Sequence, residues 1–207
     1  MKREEQTRVM KEKIIQSAIL EFNNNDYESA SMNRICNIGG ISKGIIYHYF
    51  KDKDALYLEC VKKCYDTFTN YYRMNEVDMA GKNIDITDYL KLRMLFFKEH
   101  PEFRGLFFHT LLRTPHHLRN EVKELKQNLD CLNSDFYKQY LLNINLRDTI
   151  SVNEAVRYME ILQNAFNDYF RNEAENGANI KYLIDQHEKM IPKWINFILF
   201  GIAKEES

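Results

Sequence analysis

Apolar residues recur along most of this chain at intervals of three and four, with polar residues between them, the spacing that places one side of a helix against a core. The first stripe, Met10, Ile14, Ala18 and Phe22, predicts a helix over about 7–24, with residues 1–8 as a charged, frayed arm and Asn23-Asn-Asn-Asp26 as the stop. Met32, Ile35, Cys36 and Ile38 predict a short second helix capped by Ser31, and Ile46, Tyr49 and Phe50 supply the inner side of a third over about 42–49. Leu56, Tyr57, Val61, Cys64 and Phe68 carry a fourth from its N-cap Asp52 to about Tyr72. Residues 75–83, which include Gly81, read as a linker. Ile86, Tyr89, Leu90, Arg93 and Phe97 then predict a helix capped by Asp85 or Thr87 and ended by His100-Pro101, and Phe103, Phe107 and Thr110 a shorter one. Thr114-Pro115 opens a long helix with the seam Leu118, Val122, Leu125, Leu129, Leu132 and Phe136. Ser151-Val-Asn-Glu154 has the form of a capping box, and Val152, Ala155, Met159, Leu162, Phe166 and Tyr169 follow at helical spacing. Ile180, Ile184, His187, Ile191, Trp194, Ile198 and Gly201 repeat the pattern, with Pro192 predicting a kink or break. The pattern is all-α.

One stretch, residues 34–53, carries more than a stripe. Two short helical segments flank Gly39-Gly40, whose missing side chains permit a left-handed backbone at a tight reversal, and Ile41 can plug the corner. Ser42 is a good N-cap, and Lys43 and Gly44 let the start of the second segment come close to a phosphate. Lys43, Tyr47 and His48 share its outer side. This is a helix-turn-helix with a polar recognition helix.

The residues Ile14-Ile15, Ala18, Phe22, Tyr27, Ser31-Met32, Ile35, Gly40-Ile-Ser-Lys-Gly, Tyr47-His-Tyr-Phe and Lys53-Asp-Ala-Leu56 together resemble the N-terminal DNA-binding domain of TetR-type transcriptional repressors. The resemblance spans about Lys13 to Leu56, roughly the first quarter of the chain. It implies a three-helix DNA-binding domain over 1–52, followed over 53–207 by a larger helical domain for effector binding and dimerisation. It further implies a homodimer on a palindromic operator, released by a small molecule. Phosphate contacts are expected from Ser31, Arg34, Ser42, Lys43, Gly44, Lys51 and Lys53, and base contacts from Tyr47, His48 and Ile45. In the family a terminal arm lies beside the DNA, which would bring in Lys2, Arg3 and Arg8. Two positions depart from the family pattern. Asp26 stands where glycine is usual, a mild change because Asp tolerates the left-handed region. Ile45 replaces a common threonine and offers only apolar contact.

Composition changes the picture little. The chain is near neutral, at −1, but residues 1–53 hold nine Lys/Arg against seven Asp/Glu and the remainder twenty against twenty-three, a weak asymmetry of the sign DNA requires. The N-terminus lacks the apolar segment of a secretory signal and no run is long enough to span a bilayer, so a cytoplasmic protein is expected. No cofactor is expected. Aromatic and methionine residues collect at Tyr89, Met94, Phe97, Phe103, Phe107, Phe108, Leu111 and Phe136; residues of this kind also serve as plain core, but their number suits a pocket for a small apolar or aromatic effector. The last two seams exceed what one body needs, which assigns Val152, Ala155, Met159, Leu162, Phe166, Ile184, Ile191, Trp194 and Ile198 to a four-helix dimer interface.

Two rivals come from other classes. Cys60 and Cys64 share a helix side at i, i+4, as a redox or metal sensor would need, yet Cys36, Cys60, Cys64 and Cys131 lack zinc spacing, His116-His117 point apart, and no metal site is expected. A small-molecule enzyme would need a nucleophile arrangement, a phosphate-cradling loop or a metal signature, and the sequence offers none.

Overall fold

The computed structural model describes residues 3–76 and 86–202 and, among these, ten α-helices, one 3₁₀ turn and no strand. The helices are α1 (Arg3–Asn24), α2 (Met32–Gly39), α3 (Lys43–Tyr49), α4 (Lys53–Glu76), α5 (Ile86–Glu99), α6 (Pro101–Leu112), α7 (Arg119–Leu125), α8 (Gln127–Leu142), α9 (Val152–Glu175) and α10 (Ile180–Ile202). Lys2, Asp85 and most of the expected linker, Gly81 included, lie outside the described residues.

Several expectations need correction. Helix α1 begins at Arg3, so residues 3–8 continue the helix instead of fraying, with Glu4 and Glu5 favourably placed in its first turn. The long helix expected after Pro115 is divided into a 3₁₀ turn (His116–Leu118), α7 and α8, with the step at Lys126. Thr114 does not cap it, because its hydroxyl donates back to the Thr110 carbonyl. Pro192 does not break α10, which is assigned without interruption across it. The capping box at Ser151 forms in full: its hydroxyl accepts from the Glu154 amide at 3.3 Å, and the Glu154 carboxylate accepts from the Ser151 amide at 2.9 Å.

The chain divides into two compact units. The first holds residues 1–68 and 97–127, the second 69–96 and 128–207. In the first, Ile14, Ala18, Ile19 and Phe22 of α1 and Leu56, Tyr57, Cys60 and Val61 of α4 are almost wholly buried, and the helix-turn-helix adds Ile35, Ile41, Ile46 and Phe50. Burying side chains of this size contributes roughly 1.5 to 3 kcal/mol each.

Helix α6 lies against α1 at very close range. Gly105 makes this possible, since a methyl group there would overlap the Asn23 carbonyl oxygen and stand 2.8 Å from its carbon. The Gly105 amide donates to Asn23 Oδ1 at 2.6 Å, and His109 Nδ1 lies 3.0 Å from the Phe22 carbonyl, which can only accept, so Nδ1 carries the proton. Arg113 completes the row with an ion pair to Asp26 at 3.1 Å. Helix α1 has no basic residue in its own last turn, and His109 and Arg113 meet its carbonyl end from outside.

In the second unit α9 and α10 pack together through Phe166, Phe170, His187 and Trp194, with the imidazole 4.9 Å from the Phe166 ring and 5.1 Å from that of Phe170. His187 Nε2 meets Asn167 Oδ1 at 3.0 Å.

Two outcomes follow from this packing. Gly105→Ala forces α6 off α1 and is expected to cost about 2 kcal/mol or more in a urea unfolding curve; an unchanged midpoint would contradict the close approach. Burial holds the His109 and His187 rings below the ordinary histidine value of 6.5. The unfolded chain therefore binds more protons than the folded one once pH falls below that value, and stability, complete above it, declines as pH drops through it. Unfolding curves across this range should show the decline, made shallower by His109→Gln.

Candidate nucleic-acid interface

The helix-turn-helix forms as its residues dictate. Helix α2 ends at Gly40, whose φ of 57° is left-handed, and the Ile41 amide reaches back to the Cys36 carbonyl at 3.0 Å. Gly39 has an ordinary helical backbone, contrary to expectation; its glycine serves close approach, because a Cβ there would meet Ser17 Oγ at 2.6 Å. The Ser42 hydroxyl accepts the Ile45 amide at 3.4 Å and starts α3.

Helix α3 turns Ile46 inward, wholly buried, and leaves Ile45 39% and Tyr47 43% exposed. Ser42, Lys43, Gly44 and His48 are exposed as well, so the expected contact residues of this helix share an outward side. A Cβ on Gly44 would meet nothing within 4 Å, so the fold itself does not demand glycine there. Lys43 Nζ lies 5.9 Å from the Tyr47 ring centre and the His48 ring packs edge-on to Tyr49 at 5.3 Å, contacts that orient both side chains. Lys51 extends into solvent, 3.8 Å from Asp52. An open groove beside α3 is lined by Arg3, Gln6, Thr7 and Met10 of α1 together with Ser42, Gly44, Ile45, His48 and Tyr49. Gln6 and Thr7 are additions that sequence reasoning missed, since it treated the arm as charge alone; their i, i+1 position one turn before Met10 was the available signal.

Three expected phosphate contacts are partly engaged within the protein. The Ser31 side chain makes no cap bond, and its amide donates to Glu21 Oε1 at 2.8 Å. Arg34 Nε meets the same carboxylate oxygen at 2.7 Å and its NH2 donates to the Ser29 carbonyl. Glu21 is 2% exposed, so Arg34 compensates a buried charge. Lys53 sits 4.2 Å over the Tyr27 ring, and Asp52 caps α4 by accepting the Ala55 amide at 2.8 Å. Partial burial lowers the Lys53 ammonium below its ordinary value.

Asp26 does not use the left-handed region, since no residue other than glycine has a positive φ among those described. Its Oδ1 accepts the Ser29 amide at 2.9 Å and so builds the corner with a side chain where glycine would use backbone freedom.

The remaining expected sites are distributed differently. Phe97, Phe103, Phe107, Phe108 and Leu111 belong to the first unit, where Phe97 and Phe107 pack edge-on at 5.2 Å and Phe68 lies 5.6 Å from Phe107. Tyr89, Met94 and Phe136 belong to the second; Tyr89 and Phe136 are 4.8 Å apart, while Met94 is 66% exposed. Tyr89 donates to Asn133, and burial pushes its hydroxyl up to about 12. Of the expected dimer seam, Ala155, Met159, Phe166, Ile184, Ile191 and Ile198 are buried within the chain itself, and Val152, Leu162 and Trp194 partly so. Among the described side chains of α9 and α10, the large apolar ones left exposed are Tyr158, Ile161, Tyr169, Tyr182, Met190 and Phe197. Cys60 and Cys64 are buried, and burial raises both thiols well above their ordinary value, opposite to what a reactive thiolate needs.

With this geometry in place, residues 14–60 match the family described as bacterial regulatory proteins, tetR family. Over that N-terminal segment the chain is similar to the TetR family. It is 26% identical over 143 residues to the biofilm operon icaADBC HTH-type negative transcriptional regulator IcaR of Staphylococcus aureus, covering 67% of this chain and 75% of that protein. The Staphylococcus epidermidis IcaR is 25% identical over 132 residues, 63% of this chain and 69% of that protein. Among solved structures, a TetR family regulator from Chloroflexus aurantiacus superposes with a TM-score of 0.57 at 18% identity, covering 96% of this chain and 95% of that one. The transcriptional regulator FadR of Bacillus subtilis, in complex with stearoyl-CoA, gives 0.57 at 16% identity, with 86% and 95% covered. These TetR-family neighbours share the fold: a helix-turn-helix followed by a helical body.

The Glu21 arrangement makes Arg34 testable apart from DNA. Arg34→Met leaves a buried carboxylate without its cation and should lower stability by roughly 1 to 3 kcal/mol in a denaturant titration without DNA. A side chain that served DNA alone would leave that titration unchanged.

Proposed function

We propose that this TetR-family regulator is a homodimeric repressor that binds a palindromic operator through α3 and leaves it when a small molecule binds the helical body. The observation that carries the reading is the outward side of α3: Ser42, Lys43, Gly44, Ile45, Tyr47 and His48 are all exposed, whereas Ile46 is wholly buried. A helix that served packing alone would not leave a half-exposed tyrosine, a histidine and an isoleucine together on one side. Tyr47, His48 and Ile45 are the base-reading set, with Lys43 and Lys51 on flanking phosphates and Lys53 and Arg34 contributing the charge they do not spend internally. Arg3, with Gln6 and Thr7, extends the same surface along α1.

Dimerisation falls to the second apolar stripe of α9 and α10. Tyr158, Ile161 and Tyr169, like Tyr182, Met190 and Phe197, recur at near-multiples of 3.6 residues beside the buried stripe of the same helix, so each helix is apolar over more of its circumference than this chain covers. A second copy would cover both stripes and set two heads about 34 Å apart, one duplex turn. Repression is the regulatory sense of the similar IcaR proteins, named as negative regulators. For the effector, the buried aromatic pairs Tyr72–Tyr89 and Tyr89–Phe136 in the second unit favour a small apolar or aromatic molecule. Only an effector that prefers the arrangement unable to hold DNA would release it.

Alanine at Tyr47 and at His48 is expected to leave the helical signal and the oligomeric state intact while weakening operator binding by roughly 1 to 3 kcal/mol for each base edge no longer read. Fluorescence anisotropy on a duplex selected from a random library by the wild-type protein measures this. Equal affinity of both variants for that duplex would refute the assignment of α3.

A further inference from the structure

Lys53 presents an electrostatic puzzle that the DNA-binding reading leaves open. It stands in the first turn of α4, where a cation opposes the helix dipole, and the next residue is the carboxylate Asp54. An ammonium beside a free carboxylate would pair with it and bring little to a phosphate. Lys53 nevertheless makes no ion pair among the described residues and rests over the Tyr27 ring at 4.2 Å.

The structure shows where the Asp54 charge goes. Its Oδ1 accepts the Tyr27 hydroxyl, and its Oδ2 lies 3.2 Å from Nε2 of His117, which belongs to the 3₁₀ turn His116–Leu118. The same imidazole packs edge-on against Tyr27 at 5.6 Å, and Tyr57 holds another edge of that ring at 5.1 Å. One histidine therefore supports both the carboxylate and the aromatic seat of the lysine. The two donors hold the Asp54 carboxyl below its ordinary range, the Tyr27 hydroxyl most strongly, against an opposing effect of burial. Glu28, the carboxylate that acts most on Lys53, is exposed and forms no ion pair with it, and Asp26 and Glu21, which act on it after Asp54, are engaged by Arg113 and Arg34.

We infer that His117 is a positioning residue for DNA binding: with Tyr27 it turns the Asp54 carboxylate away from Lys53, so that the ammonium faces outward to a backbone phosphate. The residue lies far along the chain from the helix-turn-helix. Nothing in the N-terminal pattern marks it, and it reaches the head because residues 97–127 belong to the same compact unit. Without His117, Oδ2 loses its donor and Tyr27 loses one wall, and Lys53, the preceding residue, is a cation whose charge already acts on Asp54. The inference rests on the DNA-binding reading above and adds to it a residue outside the reading helix.

The test measures the affinity of the full-length protein for the selected duplex across a salt series. His117→Ala is expected to weaken binding ~5-fold at moderate salt and to flatten the slope of log K against log salt by about 0.9, the value of one phosphate contact, as Lys53→Met does directly. In an Asp54→Asn background, where Oδ1 still accepts from Tyr27 but no carboxylate competes for the lysine, His117→Ala should no longer change the slope. A merely structural His117 would lower affinity equally in both backgrounds, and that result, or an unchanged slope in His117→Ala, overturns the inference while leaving α3 as the reader of DNA. Thermal melts of each variant check that the head remains folded. A wild-type protein that selects no duplex would instead remove the DNA-binding reading, and this inference with it.

Discussion

The close seating of α6 on the carbonyl end of α1 is the constraint on which the first unit depends. A single missing side chain, at Gly105, lets two backbones meet where any other residue would hold them apart. Once they meet, the Gly105 amide, the His109 ring and the Arg113 guanidinium fall in register with Asn23, Phe22 and Asp26. The His109 ring meets a backbone carbonyl that the end of a helix would otherwise leave to water, and the other two bind side-chain oxygens of Asn23 and Asp26 beside it. Phe22 is also wholly buried against Tyr57 of α4, at 5.0 Å, so α1 is fixed on two sides before the helix-turn-helix is added. The orientation of α3 is thus inherited from residues about sixty positions further along the chain. A change in α6 has a direct mechanical path to the corner at Asp26.

Charge in this unit is used sparingly, and mostly inward. The carboxylate of Glu21 is buried, yet it accepts both the Ser31 amide and Arg34 Nε, so the start of α2 is neutralised from within. Asp26 divides its two oxygens between the Ser29 amide and Arg113. Asp54 divides its own between Tyr27 and His117. In each case an acidic residue that would repel a nucleic acid is tied to a donor on a neighbouring element. A chain of near-zero net charge can then present a locally cationic surface. Counting charges along the sequence shows only a weak asymmetry, because the count does not separate a solvated carboxylate from a paired one.

The head was legible because its constraints are local. Gly40 must be left-handed, Ser42 must start a helix, and Ile46 must point in while Tyr47 points out; each follows from residues within one turn of each other. The internal partners of Arg34 and Lys53 were not legible, since Glu21 and Tyr27 meet them only after folding. Asp26 shows the same limit from another side. Its identity suggested a backbone conformation, and the structure uses its carboxylate instead. The division at Lys126 had no glycine or proline to announce it, and the amide there still bonds to the Val122 carbonyl at 3.0 Å, so the departure from regular helix is small and falls beside the boundary between the two units.

The body was harder to read for a physical reason that α9 shows most clearly. Periodicity identifies a helix side that wants burial, but it does not say whether the same chain or another one buries it. Ala155, Met159, Phe166 and Phe170 are covered by their own chain, and the stripe through Tyr158, Ile161 and Tyr169 lies alongside. A helix facing only its own core needs one stripe, and a solvated helix needs polar residues on the rest. Helix α9 has a second stripe, and α10 matches it with Tyr182, Met190 and Phe197, the last of them 80% exposed. Sequence reasoning detected the surplus of apolar residues and assigned the stronger stripe to the partner. Packing buries most of that stripe in the chain's own core, and the stripe beside it is interrupted by polar residues and rich in tyrosine, whose ring is apolar and whose hydroxyl can stay in water.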